Sequence, residues 1–258
     1  MIQHVNERLA IINDWCNQNK LFLNRSKSEY MIVTNKNVNT NTDICIGNDK
    51  LKKVDKFKYL GLIIDDKLKF QPHIIHTKAK LSQICGSSYR LKHFFNLSAA
   101  RKFYYSCFYA IVTYCIVCYG GVWACSQRAN ILQNIQTKIV KNLFSTYYPS
   151  SPNLFKEAGL LKLYDVYKLR VATYMFRIMQ LEELPAIRNN LFLRTADHEH
   201  NTRYANNFIL PVPNVLAIKI NFQYQFVDVW NNIPADIENS NTVKTFKNKL
   251  IQYYLNNY

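Results

Sequence analysis

From Phe103 to Gln127 the chain runs for 25 positions without a charged side chain, and that run restricts the fold more than any other feature. A segment of this length can leave water in two ways: as a helix across a bilayer, or as a helix buried in a large core. Five tyrosines (104, 105, 109, 114 and 119), Ser106, Thr113 and the pair Gly120-Gly121 are dispersed along it. Hydroxyls spread in this way need partners that a protein interior supplies and hydrocarbon does not, so the sequence predicts a buried core helix. At 258 residues and 48% hydrophobic composition, the chain can build such a core as one large domain or two smaller ones.

Outside that run the chain is basic. Thirty-three Lys and Arg against seventeen Asp and Glu give a net charge of +16, which suits a polyanionic partner, either nucleic acid or an anionic membrane surface. The excess is uneven. Between Lys50 and Lys102 there are thirteen Lys/Arg against three Asp, or +10 of the +16; surface charge without a role is usually more dispersed, so the clustering favours nucleic acid. Seven Cys with no cationic-then-apolar leader predict free thiols in a reducing compartment, hence the nucleus or cytoplasm.

Taken in order, Ile2, Val5, Leu9, Ile12 and Trp15-Cys16 follow the spacing of an amphipathic helix over residues 1–19. Leu21 to Val33 read as turn and strand, and Asn35 to Asn41 as a polar loop. Asp43 to Ile46 and Leu51 to Val54, around Gly47-Asn48-Asp49, read as a short hairpin. The apolar, β-branched run Tyr59 to Ile64 suits a strand, with Gly61 marking a bulge or a close backbone approach. Asp65-Asp66 turn the chain, and Pro72 stands where the first turn of a helix belongs. That helix runs to Phe95, with Ile74, Leu81, Ile84, Cys85, Ser88, Leu91 and Phe95 on one face and His76, Lys80, Gln83, Ser87 and Arg90 on another. Ile131 to Leu143 form a further amphipathic helix. The Pro/Ser break at Tyr147–Pro152 is a candidate boundary, followed by helices at Pro152–Ala158 and Leu163–Leu181.

Several of these blocks are similar to one family. Phe57-Lys58-Tyr59-Leu60-Gly61-Leu62-Ile63-Ile64-Asp65, with Leu68, Phe70 and His73-Ile74, resembles the "KYLG…ID" segment of non-LTR retrotransposon reverse transcriptases, particularly jockey-like ones. Asn24, Lys27 and the Trp15-Cys16 and Glu29-Tyr30-Met31 segments resemble the block after that family's catalytic motif. Tyr119-Gly120-Gly121-Val122-Trp123, Gln136 and Val140 match its thumb, and His200, Thr202-Arg203, Pro211, Trp230-Asn231-Asn232-Ile233-Pro234, Ser240, Phe246-Lys247 and Leu250 match its tail. The resemblance spans the chain. It implies that the segment at Lys56, Lys58, Tyr59, Leu60 and Gly61 is a primer grip, a β-hairpin holding the primer's 3′ end. Lys78, Lys80, Arg90 and Lys92 then lie on a thumb helix that tracks a phosphate backbone. Lys27, with Asn24, falls where the family places a lysine near the incoming triphosphate; a surface turn lysine is the simpler reading.

The family's polymerases hold two Mg²⁺ ions on carboxylates, one motif being Phe/Tyr-Ala-Asp-Asp. No such tetrapeptide occurs here, and the resemblance places it upstream of Met1. Asp65-Asp66 is a poor substitute, because its block matches the primer grip. Cys115, Cys118 and Cys125 lack a fourth ligand in the sequence pattern, His73 and His76 face different sides of one turn, and His198-Glu199-His200 with Asp197 read as a polar loop. No GxxxxGK[ST], GxSxG or HExxH is present.

The expectation is therefore an α+β chain: an end-of-palm remnant over 1–70, a helical thumb over 71–148 and a helical C-terminal region over 149–258. As it stands it is expected to be no enzyme and to need no cofactor. Its expected capacity is sequence-independent binding of an RNA or DNA duplex, with the missing upstream polymerase part as a second partner. The chain reads as the product of a truncated element copy. An excerpt of an active polymerase, a membrane protein spanning at 103–127, and a reading frame without function remain as alternatives.

Overall fold

The computed structural model describes residues 2–34, 43–124, 129–180, 208–210 and 222–258. The fold is α+β and mostly helical, with three two-stranded sheets among the described residues. The chain divides into two compact units, Met1–Ile75 and His76–Tyr258. The second unit takes in both sides of position 148, where the Pro/Ser break suggests a boundary. The polar loop expected at 35–41, Cys125, the 197–200 cluster, Thr202, Arg203 and Pro211 lie outside the described residues.

The first unit opens with α1 (Ile2–Gln18). Its expected stripe is not the face it buries. Cys16 is buried and Asn6, Leu9 and Asn13 are half-buried, whereas Val5, Ile12 and Trp15 are exposed. The cause lies in β2 (Cys45–Ile46), beside which α1 packs. The Asn6 side chain accepts from the Cys45 amide at 3.0 Å and donates to the Asp43 carbonyl at 3.0 Å. A strand edge carries unpaired backbone donors and acceptors, and an amide side chain satisfies both where an apolar one satisfies neither.

A 3₁₀ turn (Arg25–Lys27) leads into β1 (Glu29–Tyr30), and Asn24 caps the turn by accepting from the Lys27 amide at 3.2 Å. β2 pairs antiparallel with β3 (Asp49–Lys50) across Gly47-Asn48, with Gly47 at φ 62 supplying the positive dihedral of a tight hairpin; the turn falls where expected, but the second strand is Asp49–Lys50 rather than Leu51–Val54. β4 (Lys52–Lys53) pairs in parallel with β1. Ile44, Ile46 and Leu51, with Leu9, Leu23 and Tyr30 against them, form the small core of this unit.

The run Tyr59–Ile64 is not one strand. It folds back on itself as β5 (Lys56–Tyr59) and β6 (Leu62–Asp65), paired in the register Lys56↔Asp65, Phe57↔Ile64, Lys58↔Ile63 and Tyr59↔Leu62. Leu60 (φ 46) and Gly61 (φ 89) make the two-residue turn, so Gly61 is a turn residue rather than a bulge. Positive φ at both central positions is the type I′ geometry whose twist matches that of the strands.

α2 (Gln71–Leu91) starts with Pro72 in its first turn, as expected. It buries His73, Ile74, Thr77, Leu81 and Ser88, a 3.6-residue stripe. Leu91, assigned to that face in the sequence, is exposed because the helix ends there.

The uncharged run is not one helix either. α3 (Leu97–Phe103) continues through a π-helical segment (Tyr104–Tyr109) into α4 (Ala110–Thr113), then breaks at Tyr114-Cys115, with Cys115 at φ 53. α5 (Ile116–Ala124) follows. The Tyr119 hydroxyl reaches back to the Val112 carbonyl at 2.5 Å, capping an acceptor that the break leaves without a helical partner. Tyr104, Phe108, Val112, Ile116 and Tyr119 are buried, so the expected core role holds across the break. No helix among the described residues is long and apolar enough to cross a membrane.

α6 (Ala129–Phe144) and the short α7 (Leu154–Glu157) precede α8 (Leu163–Gln180), which lies at the centre of this unit. Ten α8 residues are buried, and α5, α6, α9 (Phe222–Asn231) and α11 (Val243–Asn256) all pack on it. α10 (Ala235–Glu238) joins the last two. The family-like blocks of this unit do packing work. Gln136 donates to the Tyr104 hydroxyl and the Leu161 carbonyl, each at 2.9 Å. Trp230 donates to Glu238 at 2.9 Å and lies near Phe246, which stacks on Phe176 with centroids 4.5 Å apart. Asn231 brackets the Phe208 backbone with two bonds of 2.9 and 3.0 Å.

Candidate nucleic-acid interface

Not every cation of the 50–102 cluster is available to a ligand. Lys50 pairs with Asp43 at 2.6 Å, Lys52 with Glu29 at 3.5 Å and Lys67 with Asp66 at 3.7 Å. The hydrogen bond to Asp43 holds the exposed Lys50 ammonium above its ordinary pKa. Lys67 is tied further by a 2.8 Å bond to the Thr34 carbonyl. These side chains are engaged within the first unit, although such solvent-exposed pairs add little to its stability.

The residues left over fall into two groups, one in each unit. In the first, all four residues of β5 are exposed. Alternation puts Lys56 and Lys58 on the same face as Ile63 and Asp65, with Phe57 and Tyr59 opposite. Only β6 pairs with β5 among the described residues, so the outward backbone groups of Lys56 and Lys58 lie along a free edge. The corresponding outward amide on β6, that of Ile63, donates to His73 Nδ1 at 3.4 Å. At the hairpin tip Leu60 is 75% exposed and holds a left-handed backbone, which costs a branched residue roughly 1–2 kcal/mol. A strained, solvated leucine between an exposed tyrosine and a glycine contributes nothing to the core.

Asp65 has a structural job. Its Oδ1 accepts from the Lys67 and Lys69 amides at 3.1 and 3.0 Å, fixing the turn into α2. Its Oδ2 is buried without a hydrogen-bond partner, and the residue lies beside an open cleft of about 710 Å³ also lined by Lys56, Lys58, Lys69 and Pro72. Asp66 pairs with Lys67 instead of joining it. Among the described residues no group of three or more His, Cys, Asp or Glu is placed to hold a metal. Desolvation and the neighbouring Cys115 push the Cys118 thiol up from its ordinary pKa. Asn24 is spent on capping, and Lys27 is an exposed turn residue.

In the second unit α2 displays Lys78, Lys80 and Arg90 to solvent, with Lys92 half-buried just beyond its end. None of these four is in an ion pair among the described residues, and the sequence explains why. From Lys67 to Lys156 there are 90 residues without a single Asp or Glu, and twelve Lys or Arg. An acid-free stretch of this length is readable from sequence alone and marks the basic surface better than a cluster count. Opposite α2, α6 contributes exposed Lys138 and Lys141, cations that the 50–102 window leaves out. Asn142 on α6 donates to Ser88 Oγ at 3.0 Å and to the Cys85 carbonyl at 3.4 Å, fixing the spacing of the two helices.

No protein-family model matches the chain, and neither a curated protein nor a solved structure is similar enough to count as a match.

Proposed function

We propose that this chain binds nucleic acid through backbone phosphates, without reading base sequence, as a primer-grip and thumb remnant of a non-LTR retrotransposon reverse transcriptase. The observation that carries the reading is the acid-free stretch 67–156, whose described cations, Lys67 excepted, are unpaired. Like charges held together without counter-charges repel one another, and a polyanion relieves that cost while releasing its condensed counterions. The exposed edge of β5 and its strained Leu60 tip add an element with no core role. Similarity of Lys58-Tyr59-Leu60-Gly61 to a primer grip supplies the template–primer duplex as the ligand.

On this reading the chain alone carries no polymerase activity, because the metal-holding aspartates of the family have no counterpart in it. The test is titration of a labelled duplex at increasing salt, using two unrelated base sequences. Roughly four neutralised phosphates give a log–log slope of about −3.6, equal for both sequences. A flat salt dependence, or strong preference for one sequence, rejects the proposal. Primer extension by the isolated chain with Mg²⁺ or Mn²⁺, abolished by Asp65→Ala, would reject its non-catalytic part.

A further inference from the structure

We infer that the groove between α2 and α6 takes an unpaired base of a single-stranded nucleic acid, stacked on Tyr89, with its phosphates on Lys138 and Lys141. The inference rests on the phosphate-binding reading above and adds a kind of ligand to it.

The groove is a shallow, open depression of about 380 Å³ lined by Cys85, Gly86, Tyr89, Lys138, Lys141 and Asn142. Three features of it have no structural explanation. Tyr89 is 61% exposed and packs into no core. Among the described residues its one ring partner is the Lys92 ammonium, 4.6 Å from the centroid, and Lys92 is not among the groove-lining residues. Gly86 sits in the middle of a 21-residue helix, where glycine costs about 1 kcal/mol against alanine. No packing demands it, since a Cβ there would meet nothing within 4 Å. A glycine without a steric reason keeps a helix surface low, which is what the close approach of a ligand needs. The far wall carries two exposed lysines and no carboxylate, as neither helix contains Asp or Glu.

A flat aromatic wall, a low floor and paired cations are the components with which proteins hold unpaired nucleotides: stacking for the base, charge for the backbone, and tolerance of sequence because every base has a π-face. In a duplex the bases are stacked on each other and offer Tyr89 no face. The Asn142 bonds to α2 keep the groove formed in the absence of ligand.

The experiment compares binding of a labelled oligothymidylate of about ten nucleotides with binding of a blunt-ended duplex. The full-length chain is used with Tyr89→Ala and, separately, Gly86→Leu. Loss of one stacked base lowers single-strand affinity roughly 5- to 150-fold, and filling the floor with leucine does the same; duplex affinity stays within about twofold in both. Gly86→Leu replaces a poor helix former with a good one in open space, so its melting temperature does not fall and lost binding is not lost folding. If the wild type binds single strands and either variant leaves that binding unchanged, or weakens both ligands equally, the groove is not a base site. If the wild type binds the duplex but not the single strand, the groove is likewise not a base site; if it binds neither ligand, the phosphate-binding reading falls with it.

Discussion

Gly120→Ala tests the packing that positions the second unit. Alanine is worth about 1 kcal/mol more than glycine inside a helix, so in open space the change would stabilise. At Gly120 there is no open space. A Cβ would lie 2.4 Å from Tyr167 Cδ2 and 2.8 Å from Cε2, against an ordinary carbon–carbon contact of ~3.5–4.0 Å. The ring would have to move by roughly 1 Å to restore contact distance. Tyr167 is 1% exposed, packs beside Tyr164 and bonds to Gln225 at 3.4 Å, so it has nowhere to go. Overpacking of this kind costs about 1–3 kcal/mol; at the upper end, less the propensity gain, the net loss is about 2 kcal/mol. For a unit of this size that lowers the melting temperature by roughly 4–8 °C. Gly86→Ala, on open helix surface, is the matched control and should gain about 1 kcal/mol. Thermal melts followed by circular dichroism read both changes. If Gly120→Ala raises the melting temperature as Gly86→Ala does, the α5–α8 packing described above is wrong.

Leu60→Asn places a residue that tolerates left-handed backbone at the hairpin tip, and should stabilise the first unit by up to about 1 kcal/mol in denaturant titrations. If the tip contacts nucleic acid, the same substitution should weaken binding in spite of the added stability; unchanged affinity would leave the strain without that purpose. Tyr104, Tyr119, Tyr254 and Tyr258 have pKa values raised by burial. The folded state therefore holds these protons more tightly than the unfolded one. Stability should be flat below about pH 10 and fall as pH rises above it, with tyrosinate absorbance appearing together with loss of helix. Tyrosinate formation at ordinary pH in the folded state would contradict the packing of these rings.

Where a local signal decided the outcome, the sequence was legible. Pro72 announced the start of α2, Gly47 the β2–β3 turn, and the spacing of Ile131, Leu132, Ile135, Ile139 and Leu143 the helix α6. Where the fold set residue type aside, it was not. A hairpin turn centred on Leu60 and a helix break at Cys115 both place a side chain at positive φ, with no proline at either point. α1 turned Asn6 inward because a strand edge waited there, a fact that belongs to β2. The candidate site divided in the same way. The basic character of α2 was readable, whereas the loss of Lys50, Lys52 and Lys67 to ion pairs and the pairing of Tyr89 with Lys138 and Lys141 needed the tertiary structure. Gly120-Gly121 stood out as part of a resemblance, and the structure adds a steric reason for it in Tyr167.

The central claim, that a defined basic surface rather than overall charge holds nucleic acid, is tested most directly by paired charge reversal. Lys80→Glu with Arg90→Glu alters the exposed face of α2 while leaving its buried Ile74, Thr77, Leu81 and Ser88 untouched. Lys244→Glu with Lys249→Glu alters two exposed cations of α11 by the same charge. Duplex affinity, measured over a range of salt concentrations, should fall sharply with a shallower slope for the α2 pair and change little for the α11 pair. Equal losses from the two pairs would mean diffuse attraction to a chain of +16 and would contradict the assignment of the surface.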